Sequence, residues 1–231
     1  MKASTPALIL YVLSGLFYLV AAIANLDHLA PIVKPIIIPS IFFYYWQEQE
    51  GKISFWSSMI LLLLFISGIL NLFYDEKSFF FVVLCNLLAY CILLSFVLKN
   101  IFELKFYFPD KINLSYMVLM FLFFLSLLYI SLVLMFDLKF ELYLLIIVYG
   151  ISSVSFGSLA TILYTLQQNQ TNFFLMMTSF TFTVSDLFFV MYHYYYNFTF
   201  FMGISILSYV VSFYVLVHYF LLAKKKLISD K

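Results

Sequence analysis

The chain has 231 residues, of which 65% are hydrophobic and only 10% charged, with 30 Phe, 19 Tyr and a formal net charge of +1. That composition excludes a soluble globular domain and identifies an integral membrane protein in contact with the bilayer. Its basic residues are all lysines and form no basic field, which excludes nucleic-acid binding.

Apolar runs long enough to span a bilayer, roughly 17–25 residues each, separate at polar joints into eight segments. They are 6–24, 29–46, 54–74, 79–98, 114–136, 141–165, 172–195 and 198–222. The expected fold class is all-α, a polytopic bundle of about eight transmembrane helices forming a single transmembrane domain over 1–231. No joint is long enough to hold a soluble domain.

In chain order, the first segment follows Lys2 and ends near Ala22-Ile-Ala24, imitating a secretory signal and its cleavage site. Its apolar run is long for a signal, so an uncleaved first helix is expected. The second segment is the shortest and contains Lys34, Pro35 and Pro39 before an aromatic end, Phe42-Phe-Tyr-Tyr-Trp46. The third approaches its end at Asn71 and Asp75. The fourth holds Asn86 and two cysteines, Cys85 and Cys91, whose spacing of six puts them on different faces and matches no metal or redox motif. In the sixth, Gly150, Ser153, Gly157 and Thr161 form a small-residue stripe that lets a neighbour such as the seventh segment approach closely.

The seventh segment contains Asp186, a carboxylate well inside an apolar stretch, which costs roughly 2.5–3.5 kcal/mol at mid-membrane and calls for a polar partner or a cavity. At helical spacing Ser179, Thr183, Asp186 and His193 share one stripe. The eighth contributes Tyr209, and His218 near its end.

Lysine placement sets the expected orientation. With eight spans, nine lysines fall on the side holding both termini and two on the other, so both termini are expected to be cytoplasmic. Lys34, Asn71, Asp75, Asn86, Asp186 and His193 then share the outer half of the bilayer, with Tyr149 and Tyr209 nearer the midplane. Lys34 and Asp186 are expected to point into one cavity, or else to form a buried ion pair that fixes helix register.

Scattered histidines argue against a metal site, and no cofactor is expected. Ser185 adjoins Asp186 but points about 100° away from it on a helix, and no Gly-x-Ser-x-Gly elbow exists. The carboxylate is the better candidate for chemistry.

Lys34-Pro35 opening an apolar helix, Tyr149-Gly150 in the sixth segment and Phe182-Thr-Val-Ser-Asp186 in the seventh resemble the YhhN family of eight-span proteins, which includes the lysoplasmalogenases. The resemblance implies hydrolysis of the vinyl-ether bond of a lysoplasmalogen or related lysolipid. It makes Asp186, Asn71 and Asp75 the candidate catalytic positions, and Lys34, Asn86, Ser185, Tyr149, Tyr209 and His193 the candidate substrate-binding ones. Two departures stand out: the family's Gly-Asp falls on Leu70-Asn71, and its fourth-segment His falls near Asn86. Its late Gln is also absent, with Phe213 nearest to its place. Two neighbouring carboxylates divide acid and base work when one is held protonated and the other ionised. Asn71 removes that division unless Asp75, four residues on, substitutes. The alternatives are a non-catalytic lipid-binding member of the same fold and a transporter using Lys34 and Asp186 as a charge relay.

Overall fold

The computed structural model describes residues 4–24, 26, 28–73, 76–104, 110–136, 138 and 140–229. Among these residues eight α-helices follow one another: α1 Thr5–Ile23, α2 Ala30–Glu48, α3 Phe55–Leu70, α4 Glu76–Glu103, α5 Lys111–Leu134, α6 Phe140–Leu166, α7 Gln170–Val190 and α8 Thr199–Ser229. A π-helical turn, Met191–Tyr195, extends α7. There is no strand among the described residues.

Among the described residues, six stretches are long and apolar enough to cross a membrane: Thr5–Ile23, Lys77–Glu103, Lys111–Leu134, Leu142–Leu166, Gln170–Tyr195 and Thr199–Lys224. The remaining two helices fall short for different reasons. At 16 residues α3 is apolar, but it extends only about 24 Å against a hydrocarbon core of about 30 Å. With 19 residues α2 is longer, yet it carries Lys34, Glu48 and the internal prolines Pro35 and Pro39. The protein is a membrane helical bundle, with six helices of clear spanning character.

Packing neighbours close a circuit: α1 on α2, α2 on α3, α3 on α4, α4 on α6, α6 on α7, α7 on α8 and α8 back on α1. Outside this ring α5 lies against α6 and α7. The exclusion of α5 is visible in its surface, since only Phe124 and Leu127 are buried along it. The main core fills the ring with Ile37, Ile41, Ile60, Leu93, Phe156, Leu175 and Phe213.

The glycine stripe of α6 explains how α5 docks. A methyl group on Gly157 would sit 2.6 Å from the ring of Phe124, and one on Gly150 would strike Leu128. The glycines of the stripe therefore receive α5, while its Ser153 faces α7, the neighbour its sequence suggested. The reason is size: the bulky Phe124 and Leu128 need a trough, whereas Ser153 meets α7 through a small hydroxyl contact to Thr183 at 3.3 Å.

Contacts at one end of the bundle tie its chain ends together. The Ser4 hydroxyl donates to Glu48 near the end of α2, and Lys224 of α8 donates to the Lys52 carbonyl just beyond it. Between them Gly51, at φ +76°, adopts the left-handed backbone that ends α2, its N–H donating to the Trp46 carbonyl at 3.0 Å. The polar cavity lies toward the opposite end.

Candidate functional site

A cavity of about 200 Å³ opens inside the ring, and all eight α-helices contribute to its lining. Lys34, Asn71, Asn86, Tyr149, Ser185, Asp186, His193 and Tyr209 all line it. Positions spread from α2 to α8 thus reach one space. Asp75 lies outside the described residues. Moreover α3 ends at Leu70 with Asn71 as its C-cap, and Leu72 and Phe73 continue in tight turns.

Asp186 is held by two phenols. Tyr149 of α6 and Tyr90 of α4 both donate to its Oδ2, the latter at 3.3 Å. The two rings stack at 5.2 Å between centroids and 18° between planes. Phe182 meets Tyr90 edge-on at 5.9 Å, and Phe156 packs on its other side at 5.8 Å. Nearby, the Ser153 hydroxyl reaches that of Thr183 at 3.3 Å. A buried carboxyl group in hydrocarbon requires such donors, since each unmet polar group there costs several kcal/mol. Both donors converge on Oδ2, and Asp186 lines the cavity.

Lys34 is kept in a contrasting manner. It is only 8% exposed, and its Nζ lies 5.8 Å from the centroid of the Tyr18 ring. No hydrogen bond or ion pair to a described residue accompanies it. Lys34 and Asp186 line one cavity, and the alternative of an ion pair between them is not seen among the described residues: the acid takes tyrosines as partners and the ammonium takes an aromatic face. The phenol hydroxyls of α4 and α6 satisfy Asp186 without a cation in direct contact with it.

The other lining residues divide by what binds them. Ser185 donates to the Ser205 carbonyl and Ser205 donates back to the Ser185 carbonyl, both at 2.9 Å. That reciprocal pair fastens α7 to α8, so the Ser185 hydroxyl is already engaged. The π-helical turn carries Tyr192 and His193, and an extra residue per turn re-aims side chains as such turns often do at functional sites. The His193 ring packs edge-on against Phe189 at 4.2 Å. Tyr209 places its hydroxyl over Gly68, where a methyl group would stand 2.9 Å from it.

Two functional side chains escaped the sequence reading. Tyr90 sits four residues after Asn86, one turn along the same face, but in a chain with 19 Tyr nothing local marks it. Tyr18 is likewise one aromatic among many on α1. Elsewhere, among the described residues, no group of three or more His, Cys, Asp or Glu side chains gathers as a metal site would require. Cys85 and Cys91 are free thiols, half-buried and exposed respectively. Comparison of the chain with protein-family models, with curated proteins and with solved structures finds no match.

Proposed function

We propose that the protein is a membrane-embedded hydrolase that cleaves the vinyl-ether bond of a lysoplasmalogen or a related lysolipid, with Asp186 as its acid and base. The observation that carries the reading is a carboxyl group anchored through one oxygen by Tyr90 and Tyr149 in the wall of a cavity that Lys34 also lines. The resemblance to the YhhN family in Lys34-Pro35, Tyr149-Gly150 and Ser185-Asp186 points the same way.

A single carboxyl group suffices for the reaction if it acts twice. In its neutral form Asp186 gives a proton to the outer vinyl carbon, and the ether oxygen shares the positive charge of the resulting oxocarbenium ion. Asp186, now a carboxylate, stabilises that ion and takes a proton from the water that attacks it. The hemiacetal formed then breaks its carbon–oxygen bond to the glycerol, returning that oxygen as a hydroxyl and releasing a fatty aldehyde. One water is consumed and Asp186 is restored. Lys34, a buried cation without an anionic partner among the described residues, holds the phosphate of the head group.

The topology proposed with this reading has eight spans and both termini cytoplasmic, supported by the nine-to-two division of lysines. In this topology α2 and α3 would cross as a pair, which the packing of α2 on α1 and α8 and of α3 on α4 supports. A reporter fused after Lys231 is expected on the cytoplasmic side.

The deciding experiment is aldehyde release by the purified protein from a lysoplasmalogen, with Asn71→Asp measured beside the wild type. The amides of Asn71 and Asn86 favour a second reading, a lipid-binding protein without turnover, because neither can exchange a proton. Wild-type activity that rises in Asn71→Asp supports hydrolysis. Absence of aldehyde from both proteins, with lipid still bound, supports the binding protein.

A further inference from the structure

Beside the polar cavity lies a void of a different kind, a groove of about 320 Å³ between α2 and α3. Ile38, Pro39, Phe42, Met59, Leu62 and Phe65 line it, and no charged side chain does. Its position follows from the antiparallel run of the two helices. On α2, Lys34 lines the cavity and Ile38, one turn on, lines the groove; on α3, Gly68 and Leu64 line the cavity and Phe65 and Leu61 the groove. The partition is thin at Gly68, where an added methyl group would lie 3.9 Å from Ile38 Cδ1 and 2.9 Å from the Tyr209 hydroxyl.

We infer that this groove seats the alkyl tail of the lipid whose head group occupies the cavity, an inference that rests on the lipid reading above. The cavity, at about 200 Å³, falls below the roughly 300–1,000 Å³ of ordinary small-molecule sites. It has room for a head group and the bond next to it, and a long chain must leave it. Passage past Gly68 requires the Ile38 side chain, whose Cδ1 stands there, to swing aside, and beyond it lies the groove. From Phe65 to Phe55 the groove follows α3 for about 15 Å, enough for the larger part of an extended chain. Between two helices a methylene chain has packing partners on both sides, whereas on an open face such as that of α5 it has them on one. Lys34 at one end and apolar walls beyond it match a molecule with an anionic head and a single tail.

The test is photolabelling of the full-length protein in nanodiscs with a single-chain glycerophosphocholine that carries a diazirine at the end of its alkyl chain. Labels are expected on peptides covering 38–43 and 55–65, displaced by unlabelled single-chain lipid. Met59→Trp fills the groove and is expected to weaken that labelling about tenfold, the equivalent of about two displaced methylenes. Ser58→Phe fills it from a half-buried position and is expected to give the same loss in a protein that folds normally. Labelling spread evenly over outward faces, α5 included, overturns the inference, as does labelling unchanged in both variants. The measurement needs no turnover. Groove labelling without aldehyde release removes only the hydrolysis, and aldehyde release without groove labelling removes only the groove.

Discussion

The two charged residues of the cavity sit in walls built on opposite principles. On the wall formed by α4, α6 and α7, Asp186 is over-determined, with two phenols on one oxygen, stacked rings around them and the Ser153 and Thr183 hydroxyls nearby. On the wall formed by α1, α2 and α3, Lys34 has the face of Tyr18 and no hydrogen bond or ion pair to a described residue. The difference teaches which group the fold completes by itself and which, on the proposed function, it leaves for a ligand. A satisfied acid is positioned for chemistry, while a buried cation without an anion is a cost that binding can repay.

The largest effect that bears on this contrast is expected from Asp186→Asn, which keeps the shape and the two phenol contacts but cannot exchange a proton. Turnover measured as aldehyde release should fall about 10²- to 10⁴-fold, the usual share of general acid–base catalysis, with the thermal midpoint retained. Normal turnover in this variant would end the catalytic assignment.

Lys34→Met separates the other wall. Loss of a charge-assisted bond to phosphate, worth about 1.5–3 kcal/mol, should raise KM about 10- to 100-fold with a smaller change in kcat. The same variant removes an unpaired buried charge, so thermal unfolding should shift upward. A protein that loses stability in Lys34→Met would show that the ammonium has an internal partner after all.

Tyr149→Phe removes one of the two donors on Asp186 and should lower kcat about tenfold, while KM stays within about twofold, since the cost is that of one hydrogen bond to a charged or reacting group. Combined with Tyr90→Phe the loss should depart from the sum of the singles, because both phenols serve one oxygen. Additive losses would indicate two independent contacts.

The smallest effect on activity is expected at Gly157→Ala, on the far side of α6. The new methyl group meets Phe124 at 2.6 Å, so stability should fall by about 1–3 kcal/mol in thermal unfolding with kcat per folded molecule unchanged. Loss of kcat in proportion would mean that α5 supports the Asp186 wall.

The membrane character and the helices themselves follow from sequence alone, because hydropathy is a property of each segment and the bilayer imposes the helix on any apolar run of that length. The unusual depth of Asp186 and Lys34 is local in the same way, and both residues line the cavity. Partnership is different. Asn71 reads as part of an apolar run, yet α3 stops at Leu70 and leaves it as a cap. The α6 glycines read as a generic close-packing stripe, and only the placement of α5 outside the ring shows that Phe124 and Leu128 occupy it. Tyr90 is indistinguishable in sequence from its many neighbours of the same type. What brings it to Asp186, 96 residues away, is the packing of α4 on α6 and of α6 on α7. Side-chain identity determined that a buried acid would need donors, and helix packing decided that tyrosines, not Lys34, would supply them.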